Sequence, residues 1–276
     1  YGAEPCALPG WFPGWDRAFT IPLPPGRESW LPETLRAKRD DPKQAAFFER
    51  AYGLRAQTPE DLVFPGWESR ARIDATAAGL GKLGDGRDGF PSADALDRAQ
   101  RYTFAGGLDL SGDSRDGTVL TILARNQERR VFPIFHRRYR DVLEAIADVQ
   151  RLWDQGIHFI RLAVENNGVQ SQIVGVMKAD QAGRAYPWRH RVQGFRTGAQ
   201  KMDPGVGLPA MDALIRGGEI VWPALEANNP ANPKAADWRR WEREMGSITR
   251  AEVKAKGKTP DSVMSFWFAL SALDGI

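Results

Sequence analysis

The sequence predicts an α/β fold with a mixed central sheet flanked by helices, preceded by an irregular arm rich in Trp and Pro. Three observations predict this class. Two short apolar runs within 104–123 enclose a turn-rich segment, which is typical of a β-hairpin. A helical repeat of apolar residues over 139–155 leads into the apolar stretch 157–165, as in a helix that crosses over to a parallel strand. A further, almost continuously apolar helix follows residue 261.

The elements after residue 100 follow from apolar periodicity and from the residues that start and stop helices and strands. In order, we expect strands at 104–110, 119–123 and 129–135, a helix at 139–155 closed by Gly156, a buried strand at 157–165, a short helix at 169–179, a strand at 191–195, a helix at 209–216, an edge strand at 219–222 and helices at 235–245 and from 261 onward. Thr259 and Pro260 are expected to open the last helix as its cap and first residue.

The residues before this domain have a different composition. Residues 1–35 are rich in Pro, Gly and Trp, so long regular elements are not expected there. Residues 79–92 contain five glycines and a proline, which is typical of a linker. We therefore predict an arm and linker at 1–99 and a compact domain at 100–276.

Composition limits the functional classes. A chain of 276 residues with 42% hydrophobic and 26% charged residues is typical of a globular protein. The net charge of +3 is compatible with nucleic acid and equally with an ordinary solvated surface. A single cysteine, Cys6, excludes an internal disulfide framework and a cysteine-rich zinc site, and a reducing compartment is the simplest expectation. No apolar run approaches membrane-spanning length, so we expect no membrane partner.

Three acidic residues occupy comparable positions in the predicted elements. Asp109 ends the first strand, Glu165 ends the buried strand after the crossover, and Asp261 opens the last helix. Sites in open α/β sheets collect at the carboxyl ends of strands, and acids that converge there repel one another unless a cation lies between them. Oxygen-only ligation suits Mg²⁺ or Mn²⁺. The simpler interpretations remain open: Asp109 caps a turn, Glu165 is a solvated strand end, and Asp261 is a helix-capping acid.

Other charged residues are weaker candidates. Asp116, in the turn after the first strand, is a candidate for the outer shell of the metal. Lys254, Lys256 and Lys258 lie in the loop before Asp261; they would meet phosphate if the acidic site is real, and are otherwise a solvated loop. The three histidines show no zinc spacing.

The order of these motifs resembles the ribonuclease H-like nucleases, and more narrowly the C-terminal nuclease domain of the large terminase subunit of tailed bacteriophages. The similarity covers roughly 100–275 and is carried by Gly107-Leu-Asp-Leu-Ser-Gly-Asp-Ser-Arg-Asp-Gly117, Val164-Glu-Asn-Asn-Gly168, Gly198-Ala-Gln-Lys201 leading to Gly218-Glu-Ile-Val-Trp-Pro223, and Thr259-Pro-Asp-Ser-Val-Met264. Residues 1–67 are similar to the segment that follows the motor in such subunits.

This resemblance implies a ribonuclease H-like fold and a metal-dependent endonuclease that cuts double-stranded DNA with little sequence preference during viral genome packaging. It implies two Mg²⁺ or Mn²⁺ ions held by Asp109, Glu165 and Asp261, with Lys201 and the three loop lysines as candidate DNA contacts. It also implies the portal and the small terminase subunit as partners, and the host cell cytoplasm as the location. The alternatives are another ribonuclease H-like activity, on four-way junctions or RNA–DNA hybrids, and a non-catalytic DNA-binding or assembly module.

The sequence departs from the family pattern in two ways. No G-x-x-x-x-G-K-[ST] motif occurs, so we expect no ATPase activity from this chain and interpret it as a part that follows a missing ATPase motor. Many members of the family carry two adjacent acids, or a histidine just upstream, at the third motif. Asp261 instead lies between Pro260 and Ser262, which leaves the ligands of a second metal open.

Overall fold

A computed structural model describes residues 60–65, 67, 72–73, 102–110, 117–167, 170–179, 186–223, 233–254 and 259–274. The chain divides into two units, one formed by Tyr1–Leu62 with Thr249–Lys258 and the other by Val63–Ile248 with Thr259–Ile276. The predicted boundary at 99/100 falls outside the described residues and stays a prediction, as does the character of the arm at 1–35.

The strands of the described residues are β1 (Arg72–Ile73), β2 (Thr103–Asp109), β3 (Thr118–Arg125), β4 (Val131–Tyr139), β5 (Phe159–Glu165), β6 (Val192–Phe195) and β7 (Trp222–Pro223). The helices are α1 (Val142–Asp154), α2 (Gln170–Lys178), α3 (Leu208–Arg216), α4 (Pro233–Ser247), α5 (Arg250–Lys254) and α6 (Asp261–Asp274). In the smaller unit, the described residues form one antiparallel bridge between Leu62 and Thr249. Glu252 accepts hydrogen bonds from the backbone N–H and hydroxyl of Thr249, the residue before α5.

Five strands of the larger unit form one mixed sheet in the order β4-β3-β2-β5-β6. The β2-β3-β4 meander is antiparallel, whereas β5 joins β2, and β6 joins β5, in parallel. Helix α1 makes the crossover between β4 and β5, which the parallel pairing requires. This three-stranded meander extended by parallel strands is the ribonuclease H-like arrangement that the sequence predicts, and the fold class is confirmed.

Helices cover both faces of the sheet. Arg137 and Arg138 are consecutive on β4 and therefore point to opposite faces. Arg137 reaches Asp148 of α1 at 2.6 Å, and Arg138 reaches Asp261 of α6 at 2.7 Å. Helix α6 is buried from Ser262 to Leu273, so its sequence is apolar around its whole circumference rather than along one stripe.

Gly107 allows α6 to approach β2 closely. A Cβ atom at this position would lie 2.0 Å from the backbone oxygen of Ser265 and 2.4 Å from the backbone nitrogen of Ala269. The hydroxyls of Thr121 on β3 and Ser265 on α6 form a 2.7 Å hydrogen bond nearby. The helix that carries Asp261 is therefore seated directly on the strand that carries Asp109.

The predicted elements after residue 100 are found, with differences at their ends. Strand β4 continues to Tyr139 instead of ending at residue 135, because its polar residues pair with helices on both faces. The last helix begins at Asp261, and its cap differs from the prediction: the carbonyl of Pro260, not of Thr259, accepts the first helical hydrogen bond, from the N–H of Met264. In the fold, Pro260 takes the cap position and Asp261 the first helical position.

Residues ahead of the sheet also pack within the larger unit. Val63, Phe64 and Trp67 are buried, and the Trp67 ring meets Trp222 edge-on at 4.9 Å between centroids. Within the described part of the chain, no helix has the length and apolar character needed to cross a membrane.

Candidate functional site

Asp109 ends β2 at the carboxyl edge of the sheet and is only 6% exposed. Burial raises the pKa of its carboxyl group well above the usual 3.8. A hydrogen bond with Glu165 and the negative charges of Glu165 and Asp261 raise the pKa further, whereas the positive charge of Lys201 lowers it. Asp109 is therefore a buried acid with two other acids and one lysine within electrostatic range.

The register of the sheet brings Glu165 beside Asp109. Leu108 pairs with Val164 in the parallel β2–β5 ladder, so the next residue of each strand lies at the same edge. Two amide groups hold the Glu165 carboxylate: Asn167 Nδ2 donates to Oε1 at 2.9 Å, and Gln170 Nε2 donates to Oε2 at 2.7 Å. The Thr197 hydroxyl donates to Oε1 at 3.4 Å. Glu165 is therefore a fixed carboxylate and not a freely solvated strand end.

Gln170 and Asn167 are themselves held in place. Gln170 Nε2 also donates to the carbonyl oxygen of Leu110, directly after β2, and its Oε1 accepts from the backbone N–H of Asn167 at 3.1 Å. The side chain of Asn167 hydrogen-bonds the Thr197 hydroxyl, and its Oδ1 accepts from the backbone N–H of Thr197 at 3.3 Å. This network joins the ends of β2, β5 and β6 around Glu165.

Asp261 is the first residue of α6, and its main partner is Arg138. The Nη1 atom of Arg138 lies 2.7 Å from Asp261 Oδ2, and Nη2 lies 3.3 Å from Ser262 Oγ and 3.5 Å from Glu244 Oε1. Lys201 lies at the same end of the sheet, with its Nζ 3.4 Å from the hydroxyl of Thr259. The third acid is thus close enough to raise the pKa of Asp109 while being paired with an arginine.

The structure places Glu165, Asp261 and Lys201 within electrostatic range of Asp109. Among the described residues, however, no three His, Cys, Asp or Glu side chains are already arranged as a metal-binding group. Asp116, Lys256 and Lys258 lie outside the described residues, and Lys254 ends α5 with its side chain outside them. Their roles stay predictions.

Sequence reasoning missed four residues that surround these acids: Arg138, Asn167, Gln170 and Thr197. The Asn-Asn-Gly motif after β5 was a signal that the strand end is specialised, because side-chain amides there can bond a neighbouring carboxylate. Nothing local distinguishes Arg138 from the arginines on either side of it, since its role depends on a helix more than 100 residues away.

His136 is a structural residue on the face of the sheet that α6 covers. Its Nδ1 lies 2.9 Å from the Thr121 hydroxyl, and its ring stacks on Trp241 with centroids 4.2 Å apart. Burial, aided by the charge of Arg138, lowers its pKa well below 6.5, so the ring is neutral at neutral pH.

A cavity of about 350 Å³ opens beside the Glu165 network. It lies along β6 and α6, and its lining includes Asn166, Gln193, Arg196, Gln200 and Trp267. Arg196, Gln193 and Gln200 are exposed. Arginine and amide side chains of this kind commonly contact phosphate and sugar oxygens in nucleic-acid complexes.

The strand order, strand directions and crossover define a protein of the ribonuclease H-like fold class. No protein-family model and no curated protein matches the chain. Solved structures similar to it include the large terminase nuclease of thermophilic phage G20c (12% identity, TM-score 0.46, 76% of this chain and 98% of that one) and the terminase nuclease domain of human cytomegalovirus, soaked with Mn and bound to an inhibitor (13%, 0.41, 62% and 83%).

A yeast mitochondrial Holliday junction resolvase is also similar (10% identity, TM-score 0.33, 71% of this chain and 93% of that one). Two further structures of the phage G20c nuclease contain zinc and cobalt. The fold assignment rests on the sheet order and register of this chain.

Proposed function

We propose that this chain is a metal-dependent endonuclease that cuts double-stranded DNA with little sequence preference during viral genome packaging. One observation carries the proposal. Asp109, Glu165 and Asp261 come from three elements that are distant in sequence, and Glu165 and Asp261 raise the pKa of Asp109, which is buried at the carboxyl edge of the sheet. A buried acid with two further acids beside it is costly to a fold and is typical of sites that bind a cation.

The residues present fit a divalent metal in their chemistry. All three acids offer oxygen ligands, which suit Mg²⁺ or Mn²⁺, and the unfavourable proximity of their charges is what a cation would relieve. Asp109, Glu165 and Asp261 would hold two ions, with Asp116 as a candidate for the outer shell. When bound, such ions activate the attacking water and stabilise the leaving 3′ oxygen.

The protein's own residues prepare this site in three ways. Asn167 and Gln170 hold Glu165 in one orientation, so that its oxygens need little reordering to serve as ligands. The Lys201 ammonium favours the ionised form of Asp109, which is the form that binds a cation. Lys201, with Lys254, Lys256 and Lys258, would contact the phosphates of the substrate, and binding would therefore weaken steeply as salt is raised.

The experiment is cleavage of plasmid and linear duplex DNA in Mn²⁺ by wild type, Asp109→Asn, Glu165→Gln and Asp261→Asn. Each variant should lose at least about a hundredfold in single-turnover rate, because it would remove a ligand of the metal ions whose charge stabilises the transition state. Asp274→Asn is the matched control. Asp274 lies at the other end of α6, where it pairs with Arg125 at 2.6 Å, and its substitution should leave the rate unchanged. Equal rates for wild type and Asp109→Asn would refute the site.

Substrate choice needs a separate comparison, because the acidic site is common to enzymes that differ in substrate surface. Duplex DNA, an RNA–DNA hybrid and a four-way junction of equal length should be cut in parallel reactions. Preference for the duplex supports a packaging nuclease, for which the portal and the small terminase subunit are the proposed partners in the host cytoplasm. A marked preference for junctions or hybrids would refute the packaging assignment and leave the metal site standing.

A further inference from the structure

We infer that Arg138 competes with divalent metal ions for Asp261, and that this competition limits how tightly the acidic site binds them. The inference rests on the proposed function, because it presumes that Asp261 is a metal ligand. It adds a specific residue that opposes metal binding, and it makes the arginine a determinant of metal affinity that acts through Asp261.

The position of Arg138 follows from strand register. Asp109 pairs with Val119, and Val119 pairs with Arg138, so the three residues form one row across β2, β3 and β4. Residues directly opposite one another in antiparallel strands share a face of the sheet. Asp109 and Arg138 therefore face α6 together, separated by Val119, and the N-terminus of α6 places Asp261 within reach of both.

Arg138 is held in this position by several groups. Its backbone N–H donates to Asp237 Oδ2 at 3.0 Å, and its guanidinium meets Asp261, Glu244 and Ser262. The side chains of Arg138 and Asp261 are only 13% and 23% exposed. An ion pair that is mostly shielded from water is stronger than one on the open surface, so the pair is a real competitor for a metal ion.

A guanidinium and a metal ion cannot share Asp261 without cost. A metal ion near Asp109 and Glu165 would repel the guanidinium, and binding would draw Asp261 away from it. Glu244 limits the cost of that exchange, because it lies 3.5 Å from Arg138 Nη2 and remains as a counter-charge when Asp261 leaves.

This competition accounts for the geometry of the site. The three acids are near enough to shift the pKa of Asp109, yet within the described part of the chain they do not form a ready metal-binding group. Asp261 is the acid whose carboxylate oxygen is committed to a cation of the protein itself. The alternative is that Arg138 orients Asp261 for the metal, and it predicts the opposite effect of removing the arginine.

The test is calorimetric titration of Mn²⁺ into the metal-free protein, compared for wild type, Arg138→Gln and Arg125→Gln. Arg138→Gln should bind Mn²⁺ about tenfold more tightly, which corresponds to about 1.4 kcal/mol. Arg125→Gln is the matched control, because Arg125 pairs with Asp274 of the same helix at 2.6 Å and far from the acids. It should leave Mn²⁺ affinity unchanged.

A double-mutant cycle isolates the competition. In the Asp261→Asn background, Arg138→Gln should no longer tighten Mn²⁺ binding, because the contested carboxylate is gone. The rise in melting temperature on adding Mn²⁺ gives a second measure, and it should be larger for Arg138→Gln than for wild type even if the metal-free variant melts lower. If Arg138→Gln fails to fold, Arg138→Lys keeps the charge, loses the planar fork and should tighten binding by a smaller factor.

Mn²⁺ affinity that is unchanged or weaker in the Arg138 variants overturns the inference. If those variants still cut DNA in a metal-dependent way, the proposed function stands and only the competition is wrong. No Mn²⁺ binding by any variant, together with no cleavage by wild type, refutes the proposed function and the inference with it.

Discussion

The Gly107→Ala substitution tests whether the close seating of α6 on β2 is real. The added methyl group would meet backbone atoms at 2.0 and 2.4 Å, and the Cβ of Phe268 at 3.0 Å. Backbone atoms of a buried helix cannot rotate away as a side-chain end can, so the helix must lift from the sheet. Such a shift would also move Asp261, which begins the same helix, relative to Asp109.

The expected cost follows from these distances. Overpacking of a core typically lowers the free energy of unfolding by about 1–3 kcal/mol. The methyl group of Gly107→Ala would meet backbone atoms of two residues, so we expect a loss at the upper end of this range, about 3 kcal/mol. For a domain of this size, one kcal/mol shifts the melting temperature by about 2–4 °C, so we expect a fall of roughly 10 °C.

Two other glycines provide a graded control for Gly107→Ala in thermal and urea melts. Gly106→Ala would meet the side-chain ends of Leu162 and Ile122 at 2.6 and 2.9 Å, so it should cost less, roughly 1–2 kcal/mol. Gly175 lies inside α2 with nothing within 4 Å of an added Cβ, and Gly175→Ala should stabilise the protein by about 0.5–1 kcal/mol. A Gly107→Ala variant as stable as wild type would refute the packing argument.

Three further predictions concern the acids. The pKa of Asp109 is raised in the folded state, so the metal-free protein should lose stability as pH rises from about 3.8 through that raised pKa. Asp109→Asn should remove this loss. The melting temperature of the variant should therefore exceed that of wild type by more at neutral pH than at acidic pH. Gln170→Ala removes a donor to Glu165 and should cost about 1 kcal/mol in urea melts and lower the single-turnover rate, whereas an unchanged rate would show that the amide does not position Glu165. Lys201→Ala removes the charge that lowers the pKa of Asp109, so the acid limb of the pH–rate profile should move to higher pH, and Lys178→Ala, on the exposed end of α2, should leave it in place.

The spacing of apolar residues predicts the helices and strands, because a buried face requires apolar side chains at regular intervals along the sequence. The apolar run that ends at Glu165 and the apolar helix after Asp261 follow directly from this spacing. The positions of the three acids could be predicted as well. An acid at the end of a buried element is unusual in itself, so it can be recognised without knowing which residues surround it in the fold.

The partners of these acids could not be predicted, since they depend on register and on long-range packing. Thr197 and Gln170 reach Glu165 from 32 and 5 positions away, and Arg138 reaches Asp261 across 123 positions. The end of β4 was predicted too early for the same reason. Arg137 and Arg138 look like solvated residues in the sequence, and only the two helices that cover the sheet explain why a strand continues through them.

The paired arginines of β4 also bear on how this strand finds its alignment during folding. A slip of β4 by one residue would exchange the faces of Arg137 and Arg138. An arginine would nevertheless still face Asp148 of α1 on one side of the sheet and Asp261 of α6 on the other. The attraction between arginine and aspartate therefore distinguishes poorly between the correct alignment of β4 and the slipped one. The discrimination then rests on the uncharged contacts of β4, which include His136 with Thr121 at 2.9 Å and with the Trp241 ring at 4.2 Å. His136, which is buried and has no proposed part in the chemistry, would then help to fix the alignment of the strand that carries Arg138.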